Sequence, residues 1–403
     1  LKRFFSQGVF ILLTLSLFAC TPKASDPSAT SAARLEAGST PEVDRSAGTV
    51  SAPQGLPAPE TVETANLLVV YPKADGLWIW KGAAAPVQLT NVSADAHPRL
   101  SADGQLVLFQ RGGELWTVEI SGQNPRRVYG EAGTVPLQVE FAPASQKIYF
   151  TTSADGKPRF DLNLVEGGVS KNLLPAGQGG QFTFTPDGQL LALVQPNKIL
   201  TVRADGSAVQ LVYQFQPVKA SGGAALPQIA WLENGFGFKT VIPGSEGQPA
   251  RLLFLMAAGG TPAQLAVFPA VPPSVSQTFI APDGSRVLYL REQGGDLELH
   301  VIDASTADKL YFKHPRGQIG LLGWTPDSKG LLFWLDDPRR AWMASGETRL
   351  PSSDVAYAEN VTWVEAETCL FLNGAELRVR QLGQPSQLID TGVTGPFAVL
   401  NIR

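Results

Sequence analysis

From residue 66 to the C-terminus, apolar side chains come in short runs, each closed off by Gly, Pro, Asp, Asn or Ser. One stretch shows the order: "HPRL" (97–100), turn "SADG", run "QLVLFQR", turn "GG", run "ELWTVEI", turn "SGQN", run "PRRVYG" (125–130). Apolar and polar positions alternate within the runs, which is the period of a strand, and no window sustains a helical period. Asp-Gly and Asn-Gly pairs stand between runs at Asp75-Gly76, Asp103-Gly104, Asp155-Gly156, Asp187-Gly188, Asp205-Gly206, Asn234-Gly235, Asp283-Gly284 and Asn373-Gly374. Such pairs accept the positive φ angles of two-residue hairpins. The pattern predicts antiparallel meanders joined by tight turns, with almost no helix.

The meander repeats. Aligned on the apolar residue that precedes each turn and its alternating run, the anchors are Leu100, Phe141, Phe184, Trp231, Ile280, Trp324 and Trp363, spaced 41, 43, 47, 49, 44 and 39 residues apart. A four-stranded unit of about 44 residues, repeated along a chain, is the signature of a β-propeller blade. Ahead of the first anchor, "NLLVVYP", "GLWIWKG" and "PVQLT" supply the last three strands of a blade that lacks its first. After the last unit, "GPFAVLNIR" supplies one spare strand, and pairing it with those three leaves no open edge in the ring. The expectation is an all-β fold: a single β-propeller over 66–403, with eight blades of four strands and the C-terminal strand closing the N-terminal blade. A ring of seven blades, with one unit as an insertion, is the alternative.

The frames "FTPDG" (184–188), "IAPDG" (280–284) and "WTPDS" (324–328), each followed by an apolar strand, resemble the WD-repeat-like propeller repeats of the TolB type and of prolyl oligopeptidase propellers. The resemblance covers roughly 66–403 and implies the propeller fold. It leaves function open, because propellers host enzymes, binding scaffolds and carriers alike. Ala144-Ser145 and Ala366-Glu367 depart from Asp-Gly, and Glu233-Asn234-Gly235 departs from Pro-Asp-Gly, so those units are degenerate.

The N-terminus changes the picture. Lys2 and Arg3 precede the apolar stretch from Val9 to Phe18, the pattern of an export signal over 1–19. Leu17-Phe18-Ala19-Cys20 resembles the bacterial lipobox, which implies cleavage before Cys20 and acylation of its thiol. An ordinary secretory signal and an uncleaved anchor helix are the other readings. Residues 21 to 65 contain no aromatic side chain and cannot bury enough apolar surface to offset ordering, so 20–65 reads as a lipidated Cys followed by a disordered tether. Cys369 is then the one remaining thiol, and packing rather than a disulfide must hold the fold. Without Lys2 and Arg3 the chain carries 30 basic and 36 acidic residues, and the part from Asn66 onward is only about −3, which excludes an electrostatic case for nucleic acid. The expected location is extracytoplasmic, on the cell membrane or the periplasmic side of an outer membrane, as a monomer.

Candidate chemistry is sparse. The turn aspartates Asp103, Asp187, Asp283 and Asp327 are explained by Asx-type bonding to nearby backbone. Trp231, Trp324 and Trp363 sit at the anchor and read as core. There is no Gly-x-Ser-x-Gly elbow, and His97, His300 and His314 show no metal-binding spacing, so no cofactor and no metal are expected. One register stands out. Three residues before each anchor come His97, Gln138, Gln181, Gln228, Gln277, Leu321 and Asn360, six of them polar and uncharged at ordinary pH. These would form a polar collar near one mouth of the channel. They either bond to neighbouring backbone and channel water or receive a peptide end, a loop or a small polar ligand. The sequence thus points to an envelope scaffold that binds a protein or peptide partner, with a hydrolase or lyase acting on an envelope glycan or peptide at the channel mouth as the alternative.

Overall fold

In the computed structural model the described residues are 64–402, apart from 83, 221–222, 245–247, 270–277, 304–307, 316–318, 337–338, 346–347, 352–357 and 382–383. The signal segment 1–19, Cys20, nearly all of the 20–65 tether and Gln277 therefore lie outside the described residues. Strands and turns make up the rest, with no helix among the described residues.

Eight antiparallel sheets follow one another along the chain, at 67–88, 95–129, 134–174, 181–214, 228–268, 278–315, 319–351 and 358–391. Seven have four strands, and the third gains a fifth from the short strand Lys157–Pro158. The first sheet draws its missing strand from the far end of the chain: Ala398–Asn401 pairs with Leu67–Lys73 in the register Leu67↔Asn401, Val69↔Val399. A two-stranded hairpin, Val218–Ala220 with Gly223–Ala225, stands between the fourth and fifth sheets.

Alternation along the second strand of each sheet explains the ring. In the second sheet Val107 and Phe109 pack toward the first sheet, whereas Leu108 packs toward the third. In the fourth, Leu191 and Leu193 face the third sheet and Ala192 faces the fifth. In the sixth, Val287 and Tyr289 face backward and Leu288 and Leu290 forward. Both faces of such a strand are buried, so it reads as a continuous apolar run. Cys369 and Phe371 of the eighth sheet meet the seventh, while Leu370 and Leu372 meet Leu67, Val69 and Tyr71 of the first. The last sheet thus packs on the first, and the ring is closed: an all-β propeller, as the repeat predicts.

The first strands of successive sheets touch one another, as Ala398–Asn401 and Asp95–Leu100 do, and line the axis. Because each sheet is a meander, its first-to-second and third-to-fourth turns lie at one end of the ring, here the aspartate end. The first strands start at the other end, the mouth.

Candidate functional site

Among the described residues, the structure divides the collar candidates by role. Gln138 is spent on the fold. Its Nε2 donates to the Phe182 carbonyl at 2.7 Å and its Oε1 accepts from the Phe182 N–H at 2.9 Å, so it stitches the third sheet to the fourth. Gln181 and Gln228 begin the strands Gln181–Phe184 and Gln228–Trp231; both are exposed, and neither side-chain amide has a partner among the described residues. His97 and Asn360 sit at bulges, as Gln138 does between Pro136 and Val139, but differ from it in backbone angle. The first strand bulges at each, between Ala96 and Arg99 and between Glu359 and Thr362, and both residues adopt φ 52°. A bulge adds one residue and turns its side chain out of the ladder. Asn360 is exposed; His97 is half-buried, and burial, then the Arg99 charge, pulls its imidazole toward the neutral form. Leu321 is buried and interrupts the polar series in the seventh sheet.

What surrounds the collar is a set of committed charges. Asp95, 2% exposed, takes both guanidinium contacts of Arg111, at 2.6 and 2.9 Å, and the Thr90 hydroxyl at 2.6 Å. Arg111 in turn lies 4.4 Å from the centre of the Trp116 ring. Asp161 accepts from the Thr152 N–H at 2.8 Å, the Thr152 hydroxyl at 2.6 Å and the Asn163 amide at 3.0 Å. Each carboxylate is desolvated and fully bonded, which a structural role requires. Chemically, the mouth therefore offers neutral amides that both donate and accept and two buried, well-bonded acids, while Glu359 beside Asn360 is exposed and Glu140, also on a first strand, has its carboxyl pushed up by burial.

Two further clusters were not singled out by the sequence reading. On the outer half of the sixth sheet, His300 Nδ1 lies 2.9 Å from Asp308 and Nε2 lies 3.2 Å from Glu298, while the Tyr289 hydroxyl donates to Asp308 at 2.6 Å. Burial, then the bond to Asp308, pushes the Tyr289 phenol up, and the His300 contact holds Glu298 low. The available signal was "DLELH", whose alternation sets Glu298 and His300 on one face. At the aspartate end, a cleft of about 710 Å³ opens between the second and third sheets. Arg126, Lys147, Glu119 and Glu166 line it, two charges of each sign, over a floor that includes Val128 and Ile148. The Arg126 guanidinium lies over Gly168, whose φ of 79° is what favours glycine there. Lys147, 2.8 Å away, holds the Glu166 carboxyl below the ordinary range.

The described residues define a closed, all-β propeller. The sequence matches no family model, and no curated protein sequence is similar to it. Its fold is similar to that of a eukaryotic initiation factor, with a TM-score of 0.50 and 11% identity over 84% of this chain and 98% of that one. It is also similar to dipeptidyl peptidase 4 of Porphyromonas gingivalis, with a TM-score of 0.51 and 12% identity over 74% of this chain and 53% of that one, so the chain spans about half the peptidase's length. TolB from Acinetobacter baumannii matches at a TM-score of 0.35 and 14% identity over 62% and 63% of the two chains. At these identities the likenesses show the fold alone.

Proposed function

We propose that the chain is an extracytoplasmic lipoprotein, anchored through Cys20, whose propeller is a binding or assembly scaffold in the cell envelope and receives a protein or peptide partner at its mouth. The observation that carries the reading is the pair Gln181 and Gln228, exposed at the starts of two successive first strands, their amides without a partner among the described residues. An amide that donates and accepts at once suits the backbone of an inserted loop or chain end. Asn360, turned out by its bulge, offers the same chemistry. Leu17-Phe18-Ala19-Cys20 and the polar segment behind it support a lipid anchor that keeps this mouth near envelope partners without fixing its orientation.

The second reading, a hydrolase or lyase at the mouth, draws on the likeness to a dipeptidyl peptidase. Asp95 and Asp161 lend it no support, since their oxygens are committed to donors. One experiment tests the scaffold reading. Cells grown with a clickable fatty acid should label the wild-type chain and leave Cys20→Ser unlabelled. A photo-crosslinking amino acid at Gln181 should trap a discrete envelope partner that the Gln228→Ala/Asn360→Ala variant traps poorly. Unchanged labelling of Cys20→Ser removes the anchor; the same adducts from a probe at Val87, on the outer rim, remove the mouth.

A further inference from the structure

The cleft between the second and third sheets holds charges that the fold does not use. Its volume, about 710 Å³, falls in the range of small-molecule sites, roughly 300–1,000 Å³. Asn124 and Pro125 line it from the second sheet, Gln146 and Gly168 from the third, and Val128 and Ile148 give it an apolar floor.

The four charged groups in the cleft divide in two. Lys147 and Glu166 satisfy one another at 2.8 Å, and Glu166 also takes Lys171 at 3.4 Å. Arg126 and Glu119 are different. The Arg126 guanidinium lies over Gly168 and has no ion pair or hydrogen bond among the described residues, whereas its neighbour Arg127 is tied to Glu114 at 2.8 Å. Glu119 accepts from the Asn124 amide at 2.6 Å and the Ser121 hydroxyl at 3.4 Å, but meets no cation among the described residues. Thr117 pairs with Arg126 across the third and fourth strands, and Glu119 lies two residues further along on the same face. Arg126 and Glu119 are thus diagonal neighbours, with backbones roughly 7–8 Å apart. One small molecule can meet both.

The repeat explains why this wall carries no further acid. At the first-to-second turn the second, fourth, sixth and seventh sheets have Asp103, Asp187, Asp283 and Asp327. The third has Ala144 in that place, and Ser145, Gln146 and Lys147 follow it into the cleft. An anion bound to Arg126 therefore meets no turn carboxylate here. A ligand of one sign would leave either Arg126 or Glu119 unanswered; a zwitterion answers both.

We propose that this cleft binds a short apolar peptide in its zwitterionic form, its carboxylate on Arg126, its ammonium on Glu119 and its apolar body over the floor of Val128 and Ile148. The site lies at the aspartate end, away from the mouth, and stands independently of the scaffold reading.

Calorimetric titration of the purified full chain with leucyl-leucine tests the assignment, and saturable one-to-one binding is expected. Converting the ligand to its amide or to its acetyl derivative removes one charge, and each change should weaken binding by about tenfold, the size of one lost charge-assisted hydrogen bond. Arg126→Met should bind the free acid and the amide alike while still preferring the free amine. Glu119→Gln should bind the free amine and the acetyl form alike while still preferring the free acid. Neither side chain is buried, and an unchanged thermal melt certifies the fold. The proposal is overturned by an absence of saturable binding at millimolar ligand, by equal affinity for the doubly capped dipeptide, or by preferences that survive both substitutions. A loss of binding in the Gln228→Ala/Asn360→Ala variant would place the ligand at the mouth and overturns it as well.

Discussion

Asp187 works through a hydroxyl. Thr185, 1% exposed, donates to the Asp187 carboxylate at 2.6 Å and accepts from the Leu190 N–H at 3.0 Å, and the same carboxylate oxygen accepts from the Gln189 N–H at 3.0 Å. Ser101 with Asp103 and Thr325 with Asp327 repeat the arrangement. The bond from Thr185, then that from Gln189, holds the Asp187 carboxyl low. Valine at 185 keeps the shape but leaves the partly buried Leu190 N–H without its acceptor, so Thr185→Val should lose about 1–2 kcal/mol in urea unfolding. Thr185→Ser should recover most of that, and an equal loss in the two variants would assign the effect to packing. The aspartates were legible in the sequence as turn residues; the hydroxyl was not, because a Ser or Thr two places earlier has no pattern of its own. The turn type was also misjudged. Gly104, Gly188 and Gly284 alone carry the positive φ in their turns, at 66°, 70° and 67°, and Ser328 takes that place at 60°. Only at Asp155-Gly156 do both residues of the pair have positive φ, 52° and 71°, as the two-residue hairpin requires.

At the scale of strands and seams, the repeat was readable because turn residues recur between short apolar runs, a signal that survives without a partner in view. Bulges were not readable. His97 and Asn360 lie in one register with Gln181, yet their strands carry an extra residue, and nothing in "DAHPRL" or "AENVTW" announces it. The anchor tryptophans show what a bulge does to a seam. Trp231 Nε1 donates back to the Thr183 carbonyl at 3.3 Å and Trp324 Nε1 to the Phe279 carbonyl at 3.1 Å, in each case the residue before the preceding anchor. The corresponding acceptor for Trp363 is the carbonyl of Gly323. There the seventh sheet's first strand is irregular between Leu321 and Gly323, with Gly323 at φ 121°, and Trp363 Nε1 is buried without a partner among the described residues. Trp324→Phe and Trp363→Phe remove the same volume, but only the first removes a hydrogen bond. Thermal or urea unfolding should show Trp324→Phe to be the costlier by about 1 kcal/mol. Equal losses would mean that the Trp363 indole already has an acceptor in solution.

For the whole molecule the decisive seam is the one between the eighth sheet and the first, where the ring closes. Three groups meet there from residues more than 300 positions apart: Asp390 accepts from the Tyr71 hydroxyl at 2.7 Å and from Lys73 Nζ at 3.0 Å. Their partnership was invisible in the sequence for that reason, although closure itself was legible in the spare strand. Burial pushes the Asp390 carboxyl up, but the bonds from Tyr71, the Thr391 backbone and Lys73 outweigh it and hold the group below its ordinary value. Since the folded value is the lower one, the stabilisation is complete above the unfolded value and is lost as pH falls from about 4 downward. Lys73 and Asp390 are each about one-fifth exposed, so solvent screens the pair only in part. Asp390→Asn should therefore cost about 1–2 kcal/mol near neutral pH, where a charged acceptor is exchanged for a neutral one. At a pH acid enough to protonate the folded carboxyl as well, the two proteins should unfold at nearly the same urea concentration. A deficit that stayed constant from neutral to acid would show that Asp390 latches the ring by shape and not by charge.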